Sequence, residues 1–406
     1  MLAGLMALNA FAVDAMIPAL PDIGNSLGVT DENRRQLVVV AYMIGFGSTQ
    51  LFWGPLADRF GRKPVLAAGI TLYTAFALLC GLAGSFALLI AGRVLMGASA
   101  AVTRVLVVAM VRDLFEAEAM ARVMSLVFMV FMLVPVLAPS IGQAVLLFAP
   151  WRAIFLVLAA YGLAMLVWSW VRLPETLHPE YRRSLHWRQM AAAWAETLRE
   201  PQSRGYTLAL TIVFATLVAY IASIQQIVFD VFKAPELIGL VFAAIAAPMA
   251  LASWLNSRIV GRFGLRRVGH SAAAAFVIVS GAHAALALAG GETLASFIVL
   301  QGLAMCCFAL TSANLGTLAM EHMAPIAGTA SSVQGVIGTI GAAILGFLIG
   351  QAFDGTVLPF VIGVALCAAS AFLVIILTEP KRLFARIGTE SRRPVPPEAC
   401  VPEDLA

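Results

Sequence analysis

The sequence predicts an all-α integral membrane protein, with twelve transmembrane helices in two pseudo-symmetric six-helix bundles. Three observations lead there. Of the residues, 61% are hydrophobic and 12% charged, with a mean hydropathy of +0.93; an ordinary soluble domain carries roughly 25% charged residues. Apolar runs follow one another over most of the 406 residues, room for about twelve spans of roughly 20 residues. Finally, Leu56-Ala-Asp-Arg-Phe-Gly-Arg-Lys63 returns half a chain later as Ile259-Val-Gly-Arg-Phe-Gly-Leu-Arg266, with Arg-Phe-Gly unchanged. A glycine-hinged basic loop repeated at half-length marks two homologous bundles, which suits a transporter whose halves rock around a central site.

Spans are predicted at 2–20, 36–57, 65–83, 86–111, 120–147, 153–172, 204–232, 237–259, 268–290, 294–319, 327–351 and 357–378. They divide the chain into an N-terminal bundle (1–172), a linker (173–203), a C-terminal bundle (204–378) and a tail (379–406). The first run starts at Met1 without a basic flank, yet no small-residue cleavage site follows and Asp14 interrupts it, so it reads as a span rather than a signal peptide. The second ends in the loop Gly54 to Lys63, the fourth carries Arg93 and Arg104, and the fifth contains Pro135, Pro139 and Gly142. Trp and Leu spacing over Trp187 to Leu198 predicts an amphipathic surface helix within the linker. The tail, rich in Pro and Glu, is expected to be disordered.

Charge placement orients the chain. Arg59, Arg62, Lys63, Arg112, Arg172, Arg182, Arg183, Arg258, Arg262, Arg266 and Arg267 fall on one side with both termini, whereas the other side has only Arg34, Arg35, Arg152 and Lys233. The positive-inside rule makes the first side, and both termini, cytoplasmic. The five cysteines show no CxxC spacing and suit packing, and neither a metal nor a cofactor is expected.

Charges inside spans are the functional candidates. A lone carboxylate in hydrocarbon costs about 2.5–3.5 kcal/mol, so Asp14 calls for a partner or a wet cavity. Arg93 lies at a similar depth and is the predicted partner if spans 1 and 4 are neighbours. One reading is a proton switch, in which burial and a nearby guanidinium push the carboxyl in opposite directions. The other is a static ion pair that fixes packing. Arg104 suits a snorkelled cation or an anion site, and His283 has no visible partner. Asn9, Met16, Met132, Gln225 and Asn314 are candidates for lining a substrate cavity within an adaptable apolar pocket.

Gly54-Pro-Leu-Ala-Asp58-Arg59-Phe-Gly61-Arg62-Lys63 resembles the cytoplasmic signature between helices 2 and 3 of the major facilitator superfamily. The resemblance implies that fold, and a latch that joins the halves when the cavity opens outward, with Asp58 and Arg112 in that role. Asp58 needs a positive partner, for which Arg112 and the N-terminus of span 11 are candidates. Because Gly261 replaces Asp58 in the second copy, the latch is expected to be asymmetric.

Phe11-Ala-Val-Asp14-Ala-Met-Ile-Pro-Ala-Leu-Pro21, Trp151-Arg-Ala-Ile-Phe155, Pro174-Glu-Thr-Leu177 and Ala327-Gly-Thr-Ala-Ser-Ser332 are similar to patterns of the bicyclomycin-resistance-type (Bcr/CflA) drug:proton antiporters. That likeness implies Asp14 as the membrane-embedded acid and Arg93 as the functional arginine of helix 4. Two positions depart from the pattern. Met96 stands where a polar partner for Arg93 is common, and Gln143 replaces the second glycine of the helix 5 antiporter motif.

The expectation is a multidrug exporter of a bacterial inner membrane that exchanges small, largely hydrophobic compounds for protons as a monomer. The alternatives are a dedicated exporter of an endogenous metabolite, a proton symporter, or a non-transporting sensor. With no HExxH, GxSxG or Walker motif, an enzyme or an ATP-driven pump is disfavoured.

Overall fold

A computed structural model describes residues 1–31, 33–114, 134, 137–177, 194–323 and 327–384, with the side chains of Arg112, Ala327 and Gly328 outside that description. Eleven helices are long and apolar enough to cross a membrane. They are α1 (Leu2–Ser26), α2 (Asn33–Phe60), α3 (Arg62–Gly81), α4 (Phe86–Leu114), α6 (Arg152–Arg172), α7 (Pro201–Val231), α8 (Pro235–Phe263), α9 (Leu265–Leu288), α10 (Leu294–Met320), α11 (Ala327–Gln351) and α12 (Leu358–Thr378). A shorter apolar helix, α5 (Leu137–Leu146), ends the predicted fifth span. The rest of that span, including Met132, and most of the linker lie outside the described residues.

Helix contacts repeat with a period of six. In the first half α2 packs on α4, α3 on α4 and α6, and α1 on α4 and α6. In the second half α8 packs on α10, α9 on α10 and α12, and α7 on α10 and α12. Each half also turns between its second and third helix on a single glycine, Gly61 (φ +103°) or Gly264 (φ +87°), a conformation that side-chain-bearing residues rarely adopt. The halves meet where α2 packs on α11, and again where Gly239 of α8 abuts Ser140 of α5. The N-terminal core is built around Tyr42, Tyr73 and Phe155, the C-terminal core around Phe242, Phe276 and Phe297. Ile17 of α1 crosses over and is buried in the second core.

Polar clusters fasten the ends of both bundles. In the first half Arg62 meets Asp58 (2.6 Å) and Asp113 (3.3 Å), while Glu175 accepts the backbone N–H groups of Arg62 (2.9 Å) and Lys63 (3.2 Å). In the second half Arg266 bridges Glu321 (2.6 Å) and Glu379 (2.8 Å), Gln202 donates to Glu321 (2.5 Å), and Tyr206 donates to Glu379 (2.8 Å). The logic is shared. An arginine at the start of the third helix of each half gathers carboxylates from the ends of its neighbours.

Glu379 follows α12. Burial alone would raise its carboxyl, but hydrogen bonds from Arg266 and Tyr206, with the Arg266 charge, hold it below the ordinary 4.5. A depressed folded-state value gives stabilisation that is complete above about pH 4.5 and is lost as pH falls through the folded value. Melting curves of wild type and Glu379→Gln in detergent should therefore differ by a few degrees near neutrality and converge on acidification. A gap that survives acidification would contradict this account.

Candidate functional site

The site begins at a break in α1. Pro18 has no N–H to offer the Asp14 carbonyl, so the α-helix stops at Asp14, passes through a 3-10 turn at Ile17–Ala19 and resumes at Leu20. The last carbonyls of a helical segment lack helical donors. Arg93 of α4 supplies one, donating from Nη1 to the Ala12 carbonyl (3.1 Å) and from Nε to the Val38 carbonyl of α2 (2.8 Å). A cation at this helix terminus also faces the negative end of the helix dipole. Arg93 is fully buried, with its guanidinium carbon 4.5 Å from the centre of the Tyr42 ring and 6.0 Å from that of Phe155. Met96, where a polar neighbour was expected, presents its Sδ as a weak acceptor at 3.8 Å. Tyr42 in turn donates to Asn9 Oδ1 (3.0 Å).

Glycines permit this convergence. A Cβ on Gly45 would strike the Val94 carbonyl, and one on Gly97 would strike the Tyr42 carbonyl, so α2 and α4 touch through their backbones beside Arg93. Gly142 of α5 does the same at the break, where a Cβ would strike the Ala15 carbonyl. Pro139 precedes it in the same short helix, and Pro135 lies outside the described residues. Gln143 donates to the Pro235 carbonyl at the start of α8 (3.3 Å), giving the departure from the glycine pattern a role in joining the halves.

The expected Asp14–Arg93 ion pair is not formed. The two residues match in depth, but Nε and Nη1 of Arg93 are engaged by carbonyls of α2 and α1, and its buried Nη2, like Asp14 Oδ1, has no hydrogen-bond partner among the described residues. Asp14 is 2% exposed, and its Oδ1 has no hydrogen-bond partner among the described residues. The turn that follows it, Ile17–Ala19, packs on α7 of the opposite half, where the Tyr220 hydroxyl is also buried without a hydrogen-bond partner among the described residues. The acid therefore sits where the first half meets the second.

Hydrogen bonds between the halves gather at the Asn33 end. Gln36 donates to Gln226 Oε1 (2.6 Å) and to the Gly350 carbonyl (3.1 Å), and Gln226 donates to Asn33 Oδ1 (2.8 Å). Asn33 donates to the carbonyls of Gln351 (3.1 Å) and Phe353 (3.0 Å). Deeper in, Gln50 of α2 donates to Thr339 of α11 (3.2 Å). The roles of Asn33, Gln36 and Gln50 were not anticipated, although Gln36 and Gln50 fall on nearly the same face of α2. At the Gly61 end the cation on Asp58 is Arg62, one turn along the chain, and the side chain of Arg112 lies outside the described residues. Arg59 and Lys63 lie over the rings of Phe60 and Trp170, and Gly54 is half buried against Val105.

The cavity candidates are dispersed. Asn9 belongs to the Arg93 cluster, and Met16 is fully buried in the N-terminal core. Gln225 is buried in α7, while Asn314 of α10 donates to Asn256 of α8 (2.8 Å). His283 has a partner that sequence reasoning missed, Glu292 at 3.1 Å.

A family model described as Major Facilitator Superfamily matches residues 2–346. A bicyclomycin resistance protein homolog of Haemophilus influenzae is 30% identical over 386 residues, covering 94% of this chain and 96% of that one. Multidrug resistance protein MdtL of Escherichia coli O45:K1 is 35% identical over 172 residues, 42% of this chain and 44% of its own. Among solved structures, the partially occluded inward-open xylose transporter XylE of Escherichia coli superposes with a TM-score of 0.71 at 12% identity, covering 92% of this chain and 95% of that one. At that identity the likeness is one of fold.

The backbone contact at the α1 break yields a prediction. Gly142→Ala forces α5 away from the Ala15 carbonyl and should destabilise the protein by about 1–3 kcal/mol, as overpacking does. Gly281→Ala, whose Cβ meets nothing within 4 Å in a helix interior, should be neutral or stabilising by up to about 1 kcal/mol. Thermal melting of the two variants side by side checks this, and equal melting temperatures would refute it.

Proposed function

The chain belongs to the major facilitator superfamily, and we propose that it exports small, largely hydrophobic compounds in exchange for protons by alternating access. The observation that carries this reading is Asp14: a carboxyl buried at a helix break, unpaired at Oδ1 among the described residues and next to a turn that packs on the opposite half. A charge there is costly unless water or a counter-charge meets it. Parting the halves at the Asn33 end would wet it, and parting them at the Gly61 end would offer it to the other compartment. Arg93 keeps the α1 break in place and supplies a fixed positive field. One elementary charge crossing the membrane is worth about 2.3 kcal/mol per 100 mV, enough to drive a useful gradient of a neutral solute.

The protein is a multi-pass membrane protein whose relatives include bacterial resistance transporters. In our reading it lies in a bacterial inner membrane with the Gly61 end and both termini in the cytoplasm, as the basic loops favour. The Asn33-end lattice then closes the outer side, so this conformation is closed outward. The latch residues Gly54, Asp58, Arg59, Gly61, Arg62, Lys63 and Arg112 would act in the opposite conformation, joining the halves at the cytoplasmic side.

Two experiments test the scheme. Asp14→Asn should abolish uphill efflux of a lipophilic dye from proteoliposomes, and proton release on dye binding, while the protein still folds and binds dye. Full proton-driven efflux by that variant would sink the assignment. Replacing Gln36 and Gln226 by Ala should lengthen spin-label distances across the Asn33 end, whereas an unchanged distance distribution would remove the lattice from gating.

A further inference from the structure

Arg104 lies in the half of α4 nearer the Gly61 end, ten residues before Leu114, and the Asp14–Arg93 scheme makes no use of it. Its side chain is exposed, and neither a hydrogen bond nor an ion pair joins it to any described residue. Position on the helix shows what it faces. Leu95 is 43% exposed and Leu88 is 41% exposed, marking the outer side of α4. At 100° per residue, Arg104 points half a turn away from Leu95, into the molecule. It continues the stripe of Arg93, Gly97 and Ala100, all of them buried. Along that stripe burial ends at Arg104, and Val108, one turn further, is 41% exposed. The positions about 60° to either side of it, Ala101 and Val107, are nevertheless fully buried in the protein. Reachable by water and flanked by protein, it has the surroundings of a crevice wall opening toward the Gly61 end.

A guanidinium within a span, unpaired among the described residues, calls for a counter-charge, since intramembrane ions are costly without one. Its planar fork matches a carboxylate, to which it donates two parallel hydrogen bonds. Resting on the export reading above, we propose that Arg104 is a cargo-binding residue that selects organic monoanions, a carboxylate carried on an apolar body. The carboxylate sits on Arg104 and the apolar part lies along the crevice beside Val108. Asp14, buried nearer the opposite end of the span and next to a turn that packs on α7, stays free for the proton.

The test is a matched pair of probes, 1-naphthaleneacetate and 1-naphthaleneacetamide, which share an apolar body and differ in charge. Calorimetric titration of the purified full chain near neutral pH should show the acetate binding at least about tenfold more tightly, as a charged hydrogen bond warrants. Arg104→Gln should bring that ratio close to one by weakening the acetate alone, and Arg104→Lys should keep part of it. Undiminished amide binding reports that each variant is folded. Equal affinities in wild type, absent acetate binding, or a preference that survives Arg104→Gln would overturn the proposal. The export reading fails separately: acetate bound with the expected preference, yet never moved against its gradient by an imposed proton gradient, would leave the anion site standing without it.

Discussion

Arg93 capping a broken helix is the interaction on which the rest of this architecture leans. Pro18 withholds one N–H and leaves carbonyls without helical donors at the centre of an apolar bundle. Such groups need a donor from elsewhere, and a guanidinium offers several at once. Bringing it there requires α4 to touch both α1 and α2, which in turn requires Gly45 and Gly97 at the crossing. The Tyr42 ring then covers the cation, where a desolvated cation–π contact is worth about 2 kcal/mol. The helix break, the buried arginine, the two glycines and the aromatic lid thus form one packed unit. Asp14 occupies the same break without belonging to that cluster, which leaves it free to respond to the opposite half.

Much of this was legible in the sequence, and the limits have a physical pattern. Apolar length anticipated the eleven described long helices, and the half-length repeat anticipated the matching glycine turns at Gly61 and Gly264. Depth was legible too, because residues rise a constant distance along a helix. Azimuth was not. Asp14 and Arg93 were matched by depth, yet their partners depend on which way each helix is rotated, and that follows from packing. The amide lattice escaped for a related reason: Gln36 and Gln226 lie far apart in the chain, and single glutamines in spans carry little signal. Glu292 was overlooked beside His283 because it comes from the loop after the span rather than from a neighbouring helix.

The two halves also differ in instructive ways. Arg266 holds two carboxylates directly, with Tyr206 and Gln202 adding hydrogen bonds. Arg62 shares its charge between Asp58 and Asp113, and Glu175 binds backbone rather than guanidinium. Asp58 remains 41% exposed at its side chain. The C-terminal cluster is therefore a closed fastening, whereas the N-terminal one leaves an acid accessible to another partner. Gly261, at the position equivalent to Asp58, removes any such acid from the second half.

Ile17 adds a consequence for how often the molecule visits its other shape. It belongs to the first half but is fully buried in the core of the second. Separating the halves at that end must draw it into water, against about 1.5–3 kcal/mol of lost burial. Since 1.4 kcal/mol is a tenfold ratio, that wedge alone holds the open form to roughly one molecule in ten to one in a hundred or fewer. An empty protein seldom opens on such terms. Whatever binds must return work of that size, so the wedge acts as a threshold that suppresses idle cycling and the leak it would cause.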